Sequence, residues 1–551
     1  MNVLDKTATL SWRGDREQLF MGQDGLSSAL NALEQSFFVL KNQQGQVALA
    51  PLGVGELVPD TKADWHFCGH LPGLRPTQLG DPSFCRDHKV KLPYVVGAMA
   101  NGIASVELVE AASAAGGLGM FGAAGLPLEL VETSIDRLQA SLGNKAFGSN
   151  LIHSPNEPDL EEGIVDLYLR KGVKLVSASA YLGLTLPILK YRFHGIHRDS
   201  AGKIVVPQKV LAKISRVEVA DKFLSPPPEK MLKALVERGD LTAEQAELAA
   251  QMPVAEDLTA EADSGGHTDN RPALALYPTI MALRDEKAPL YKEQGLTLRV
   301  GAAGGISTPA SACAAFAMGA AYIVTGSVNQ SCVESGSSDI VREMLCKASQ
   351  ADVAMAPAAD MFEMGVQVQV LKWGTMFPVR AKKLYQLYRD FGSIDELPAK
   401  EREALEKGYF RQNLDDVWRD THAFFQKRDP RQNERAAKDP KHKMALIFRS
   451  YLGRASGWAN AGVADRKVDY QVWCGPAMGA FNQWAGNSFL KEPAQRKAGI
   501  VCENILAGAA YLSRVNSLRQ QGVAMTDAQQ TFLPRTSEQL ASYFQDAGAE
   551  N

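Results

Sequence analysis

From residue 93 to residue 325 the chain alternates short apolar runs with longer stretches of helical period. The apolar runs are Pro93–Gly97, Leu118–Gly122, Ala146–Leu151, Val173–Ser177, Val210–Ile214, Val254–Thr259, Leu298–Ala303 and Tyr322–Thr325. Between them lie amphipathic stretches at Ala104–Ala115, Leu128–Ser141, Pro158–Lys171, Arg216–Leu224, Pro272–Arg284 and Pro309–Met318. Strand followed by helix, repeated, predicts a parallel sheet. Eight strand runs favour closure into a (β/α)8 TIM barrel over an open doubly wound sheet.

The fold class expected is therefore α/β, a TIM barrel with an N-terminal module and an additional helical region. Residues 1–90 are of mixed character, with a β-hairpin expected around Gln43–Leu49, and form the N-terminal module. Residues 91–330 form the barrel. Two insertions interrupt it, a polar stretch at 191–208 with a turn at Asp199–Gly202, and 226–251, which opens on three prolines and continues as a helical pair. Residues 331–551 read as mainly helical and partly packed on the barrel. The segment Gly117-Leu118-Gly119-Met120-Phe121-Gly122 matches the GxGxxG dinucleotide fingerprint, but that motif must follow a strand and open a helix. Here a helical stretch precedes it and a strand runs through it, so it reads as the turn into the second strand.

Composition narrows the picture a little. At 45% apolar and 22% charged residues, with a net charge of −3, nothing global points to nucleic acid or to an anionic membrane. No apolar run has the roughly 20 residues of a membrane span, and Met1–Gly14 has no signal-peptide core, so a cytoplasmic location is expected. The seven cysteines are scattered without a CxxC pair, which argues against disulfide frameworks and zinc ribbons. His66, Cys68 and His70 fit no common zinc spacing, and no metal is expected.

Candidate chemistry sits at the C-terminal strand ends, where barrel enzymes place it. Ala303-Gly304-Gly305 and Gly326-Ser327 end the last two strand runs. Glycines let main-chain N–H groups approach a phosphate closely; the plainer alternative is a pair of tight turns. Gly97, Ala98 and Met99 end the first strand, where small residues let a planar ring lie against the backbone. Asn150 ends the third, and its amide suits a ring edge bearing both donors and acceptors, or else caps a turn. Lys213 lies between apolar residues of the fifth strand; it needs an anion if buried and would stabilise negative charge on a reduced flavin ring, or it points outward. His267 follows Gly265 and Gly266 on the loop after strand six, and its ordinary pKa suits proton transfer.

Taken together, Gly97-Ala98-Met99, Ala115–Gly119, Glu261–His267, Ala302–Ile306 and Gly326-Ser327 resemble the flavin-barrel family of nitronate monooxygenases and FMN-dependent enoyl reductases. The stretches Ala356–Val366 and Gly374–Phe377, with the helical region, are similar to the PfaD-type trans-acting enoyl reductases of polyunsaturated fatty acid and polyketide synthases. One departure from the usual Glu-Ala-Gly-Gly-His motif is the pair Asp263-Ser264, which lengthens and acidifies it; Asp263 stands where it would raise the pKa of His267.

The resemblance implies FMN, with its phosphate on Gly304, Gly305, Gly326 and Ser327 and its ring against Ala98 and Met99 near Asn150 and Lys213. Gly97, Gly266 and Ala303 complete the implied cofactor contacts. It implies NADPH as reductant, hydride delivery to the β-carbon of a 2-enoyl thioester, and His267 or a water as proton donor to the α-carbon. The implied partners are acyl carrier protein domains and their acyl thioesters, with no nucleic acid and no membrane span; a homodimer is left open. The stretch Lys427–Lys443 holds seven basic and three acidic residues, and either steers an acidic carrier or forms a solvated face. The rival readings are a nitronate monooxygenase and a non-catalytic flavin-barrel scaffold in a synthase complex.

Overall fold

The computed structural model describes residues 10–60, 62–153 and 158–545. Residues 1–9 of the expected N-terminal module and 546–551 of the helical region lie outside the described residues.

Eight parallel strands close into a barrel. They are β1 (Tyr94–Val96), β2 (Leu118–Phe121), β3 (Gly148–Ile152), β4 (Leu175–Ser179), β5 (Lys209–Ile214), β6 (Asp257–Glu261), β7 (Arg299–Ala303) and β8 (Ile323–Thr325). The ring runs in chain order, with β8 pairing back onto β1. Each apolar run of the sequence forms one strand. Six begin one to three residues later than the hydrophobic pattern suggests, β6 by the most. Val254 and Ala255 are buried, but their N–H groups bond the carbonyls of Ser225 and Phe223; they pack beneath the barrel, and β6 starts only at Asp257. The GxGxxG segment is the turn into β2, after the helix Val106–Ala114.

Side chains alternate along each strand, so period two sorts every strand into an inner and an outer face. Val95, Leu118, Met120, Leu175, Leu211, Ala303, Tyr322 and Val324 share one buried interior cluster. Positions in step with these at the upper strand ends, among them Asn150, Lys213 and Glu261, therefore also point inward.

The lower end of the barrel is sealed by charge and by rings. Asp257 accepts from Arg299 Nε at 2.6 Å and lies 2.8 Å from His88 Nε2. Arg299 also donates to Asp87 at 2.6 Å. Burial works against the Asp257 carboxylate, but His88 and Arg299 outweigh it and hold its pKa far below the usual range. Phe84 stacks on Tyr322 with ring centroids 4.2 Å apart. Gly301 makes room for that tyrosine, since a Cβ there would lie 2.2 Å from its ring. The helix Pro82–His88, which supplies Phe84, Asp87 and His88, thus closes the barrel floor.

Residues 10–71 form a six-stranded sheet, and the hairpin Phe37–Lys41/Val47–Pro51 occupies the region around Gln43–Leu49. The 191–208 stretch carries a small hairpin, His197–Arg198 with Ile204–Val205, and the 226–251 stretch carries helices Glu229–Glu237 and Ala243–Ala249. Beyond the barrel, a hairpin of Val353–Pro357 and Gln367–Leu371 pairs with the two-residue strand Gly266–His267. The hydrophobic pattern carries no sign of this small sheet.

Helices α1 (Leu414–Arg428) and α2 (Pro440–Ala461) follow. Asn413 and Asp439 cap them by accepting from the N–H groups of Asp416 and His442. Helices α3 (Ala477–Ala485) and α4 (Ala498–Gln520) return to the barrel. Helix α4 crosses the barrel helix Pro309–Ala317 closely at Gly508, where a Cβ would lie 2.5 Å from Pro309. Its Arg514, fully buried, donates to the carbonyls of Ala29 and Gln35 and so ties the N-terminal sheet to the barrel wall.

Candidate active site at the barrel mouth

The upper strand ends open into a cavity of about 870 Å³, inside the roughly 300–1,000 Å³ range of small-molecule sites. Gly97, Ala98, Met99, Asn150, Lys213, Gly266, His267, Ala303, Gly304, Gly305, Gly326 and Ser327 all line it. Met361, Phe424, Phe425 and Gly453 form part of its outer wall, so the hairpin and helices α1 and α2 roof the barrel mouth.

Glycines shape one side. Gly304 and Gly305 have φ of 81° and 75°, the left-handed region. A Cβ on Gly304 would lie 2.6 Å from the Ala262 backbone, whereas at Gly305 and Gly326 nothing comes within 4 Å. Main chain at these last two positions faces open space and can approach a ligand without a side chain intervening. Ser327 Oγ accepts from Gly475 N at 3.2 Å.

Lys213 points inward, and its anion is Glu261, with Nζ to Oε1 at 2.8 Å. Opposite Lys213 across the β5–β6 pair stands Thr259, so Glu261 is its diagonal neighbour on the same face. Ser264 Oγ donates to the same carboxylate oxygen at 3.0 Å. Asn150 donates from Nδ2 to Ser177 O at 3.2 Å and Ser179 Oγ at 3.4 Å. Its donors are thereby spent on β4, and its carbonyl oxygen accepts no bond among the described residues.

His267 is braced by its strand pairing with Val368. Its Nε2 lies 3.1 Å from Asp360 Oδ1, the two side chains being 37% and 35% exposed. Burial opposes a charged ring, but the Asp360 hydrogen bond and charge, with Glu261, outweigh it and raise the His267 pKa above its ordinary value. Burial likewise opposes the Asp360 carboxylate, yet His267 and Arg449 hold its pKa below the usual value. The carboxylate that tunes His267 is thus Asp360 and not Asp263. Asp263 Oδ1 instead accepts from Asn270 at 2.8 Å and Gln369 at 2.9 Å, because the loop turns it toward the hairpin.

Sequence reasoning missed Asp360, Glu261 as the partner of Lys213, and the roofing side chains. The signal for Asp360 was a lone carboxylate in the otherwise largely apolar stretch Ala356–Phe362. The basic stretch Lys427–Lys443 is largely engaged within the fold. Arg431 pairs with Asp429 at 2.7 Å and Asp159 at 2.8 Å, Arg435 with Glu363 at 3.3 Å, and Lys441 with the carbonyls of Tyr388 and Phe391. Its formal charge is therefore a poor measure of any steering field. Among the described residues no group of three His, Cys, Asp or Glu side chains is arranged to hold a metal, and no helix is long and apolar enough to cross a membrane.

Residues 391–470 match the inserted helical domain of [acyl-carrier-protein] S-malonyltransferase. The chain is 50% identical over 450 residues to a polyunsaturated fatty acid synthase protein of Thraustochytrium sp., a match covering 80% of this chain and 30% of the relative. It is 44% identical over 451 residues to polyketide biosynthesis protein PksE of Bacillus subtilis, covering 81% of this chain and 58% of that protein. The chain thus spans only part of these curated relatives. Among solved structures, it resembles the enoyl reductase domain of MlnA, from the macrolactin biosynthesis cluster of Bacillus amyloliquefaciens. That likeness has a TM-score of 0.76 at 37% identity and covers 80% of this chain and 99% of the other. Residues 85–378, just over half of the chain and including the whole barrel, match the nitronate monooxygenase family, and the chain belongs to that family.

Proposed function

We propose that this protein is an FMN-dependent enoyl reductase. It takes electrons from NADPH and reduces the 2,3 double bond of enoyl thioesters carried on acyl carrier protein, in polyunsaturated fatty acid or polyketide synthesis. The observation that carries this reading is the convergence of His267 on Asp360, the Lys213–Glu261 pair and the open glycine turns on one roofed cavity. The 37% identity to an enoyl reductase domain and the synthase relatives support the substrate class.

The residues fit the cofactor. Main chain at Gly305 and Gly326 offers a phosphate an approach free of side chains. Small residues Gly97 and Ala98 line the cavity beside Asn150, whose free carbonyl oxygen accepts from a ring N–H. Lys213 supplies positive charge at the opposite wall. FMN, when bound there, supplies the hydride-transfer chemistry that side chains lack.

The chain's own residues handle the proton. Reduction of the alkene adds a hydride to the β-carbon and a proton to the α-carbon. With its pKa raised by Asp360, His267 keeps its second proton nearer neutral pH than an ordinary histidine. Nε2 is engaged by Asp360, which leaves Nδ1–H as the group that gives a proton to the α-carbon. The ring is then reprotonated from solvent. The roof of Met361, Phe424 and Phe425 provides apolar surface for an acyl chain and excludes water.

The family match favours a second reading, an oxygen-using nitronate monooxygenase. A base would need a histidine that is neutral at working pH, and Asp360 works against that. The test is NADPH oxidation with a short 2-enoyl thioester. The proposal predicts stoichiometric formation of the saturated thioester, and H267A is expected to retain FMN while slowing reoxidation by the thioester. Rapid oxygen consumption with a nitronate, without enoyl reduction, would select the second reading.

A further inference from the structure

Outside the region matched to the nitronate monooxygenase family lies a second element that reaches the glycine turns. Helix α3 (Ala477–Ala485) begins at the cavity, which Gly475 and Ala477 line. The segment leading into it is fixed on two sides. Gly475 N donates to Ser327 Oγ at 3.2 Å. Gly475 also crosses Gly265 so closely that a Cβ on Gly265 would lie 2.9 Å from Gly475 N.

The helix itself cannot slide. Gly479 packs on Gln350, where a Cβ would come 2.0 Å from the backbone nitrogen, and Asn482 Nδ2 donates to the carbonyls of Leu345 and Ala348 at 2.8 and 2.7 Å. The residue before the helix is Pro476, and no side chain caps its first turn. Apart from the Met478 N–H, which donates to the Gly475 carbonyl at 3.2 Å, the first-turn amides carry the partial positive charge of the helix start next to Ser327.

An independent observation points to the same spot. Gln330, one turn after Ser327, is only 3% exposed yet lines the cavity. Its side-chain amide makes no hydrogen bond among the described residues. The amide is thus available to donate to a ligand held in the cavity.

We infer that the start of helix α3 and the Gln330 amide complete an anion cradle, with Gly305, Gly326 and Ser327, for the phosphate monoester of the flavin. The inference rests on the flavin reading above. It makes the C-terminal helical region part of the cofactor site and not only a roof.

The test compares FMN with riboflavin, which has the ring but no phosphate, by quenching of flavin fluorescence on flavin-free full-length protein. The variants are Gln330→Glu, Gln330→Met and Ala477→Asp. An aspartate in the first turn of a helix favours the helix, so A477D is expected to fold at least as well as the parent while repelling phosphate. Each acidic variant should raise the FMN dissociation constant about tenfold or more, with riboflavin changed less than about twofold, and Q330M should fall between parent and Q330E. An unchanged FMN-to-riboflavin affinity ratio in variants that still bind riboflavin overturns the inference. A parent protein that binds neither flavin overturns the flavin reading itself, which is a separate outcome.

Discussion

Gly304 and Gly305 are adjacent and share a left-handed backbone, yet the same substitution separates them. Alanine at either position carries the left-handed penalty of about 1–2 kcal/mol. At Gly305 nothing lies within 4 Å of the new Cβ, so the penalty ends there. At Gly304 the Cβ meets the Ala262 backbone at 2.6 Å, and backbone cannot rotate away as a side-chain tip can. Overpacking of that kind adds about 1–3 kcal/mol. At roughly 2–4 °C per kcal/mol for a barrel-sized domain, G305A should lower the melting temperature of the flavin-free protein by about 2–8 °C and G304A by about twice as much. Flavin binding should be lost out of proportion in G305A, because its methyl group stands in the open space a phosphate needs. Differential scanning calorimetry of the flavin-free protein, followed by FMN titration, reads both effects. Equal melting temperatures for the two variants, or parental FMN affinity in G305A, would refute the reasoning.

The other predictions concern charge. In Asp360→Asn the support for protonated His267 is lost, so the high-pH limb of kcat/KM for enoyl thioester should move to lower pH; a limb that does not move removes His267 from the acid role. The same pair sets a stability window. The raised pKa of His267 adds stability at pH below its unfolded value, lost as pH rises through the folded value, and the lowered pKa of Asp360 adds stability that is lost at acid pH. Urea titrations of parent and D360N should therefore differ most between about pH 4 and 6.5, and by less than about 1 kcal/mol because both side chains are partly exposed. Asp257→Asn leaves Arg299 buried with Asp87 as its remaining carboxylate partner among the described residues and should cost about 3–5 kcal/mol of stability, measured by denaturant unfolding, while the FMN affinity of the folded protein is unchanged.

The barrel was legible because each of its strands is a short apolar run bounded by turn residues, a local signal. The sequence left Lys213 free to point inward or outward; its step of two from Leu211, which lies in the interior cluster, turns it into the cavity. Its partner Glu261 was within the histidine motif, but only the β5–β6 register turns that carboxylate toward the lysine. Asp360 was harder still. It stands 93 residues after His267, and the contact exists because Gly266–His267 adds to the edge of a hairpin that local composition does not announce. The shift of β6 to Asp257 has a similar cause. Val254 is as apolar as a strand residue, and its burial is satisfied by packing under the barrel instead of within the ring. Roofing by α1 and α2 is tertiary throughout. Their amphipathic pattern shows that one face is covered and says nothing of the cavity that the other elements leave beneath.

The most direct test of the central claim is the visible absorption spectrum of the freshly purified full-length protein, followed through anaerobic addition of NADPH and then of a 2-enoyl thioester. The account predicts a flavin band close to one equivalent of acid-extractable FMN, bleaching on NADPH and full return with the thioester. Protein that is colourless and stays so after incubation with FMN, or a bleached band that returns only on admitting oxygen, would contradict it.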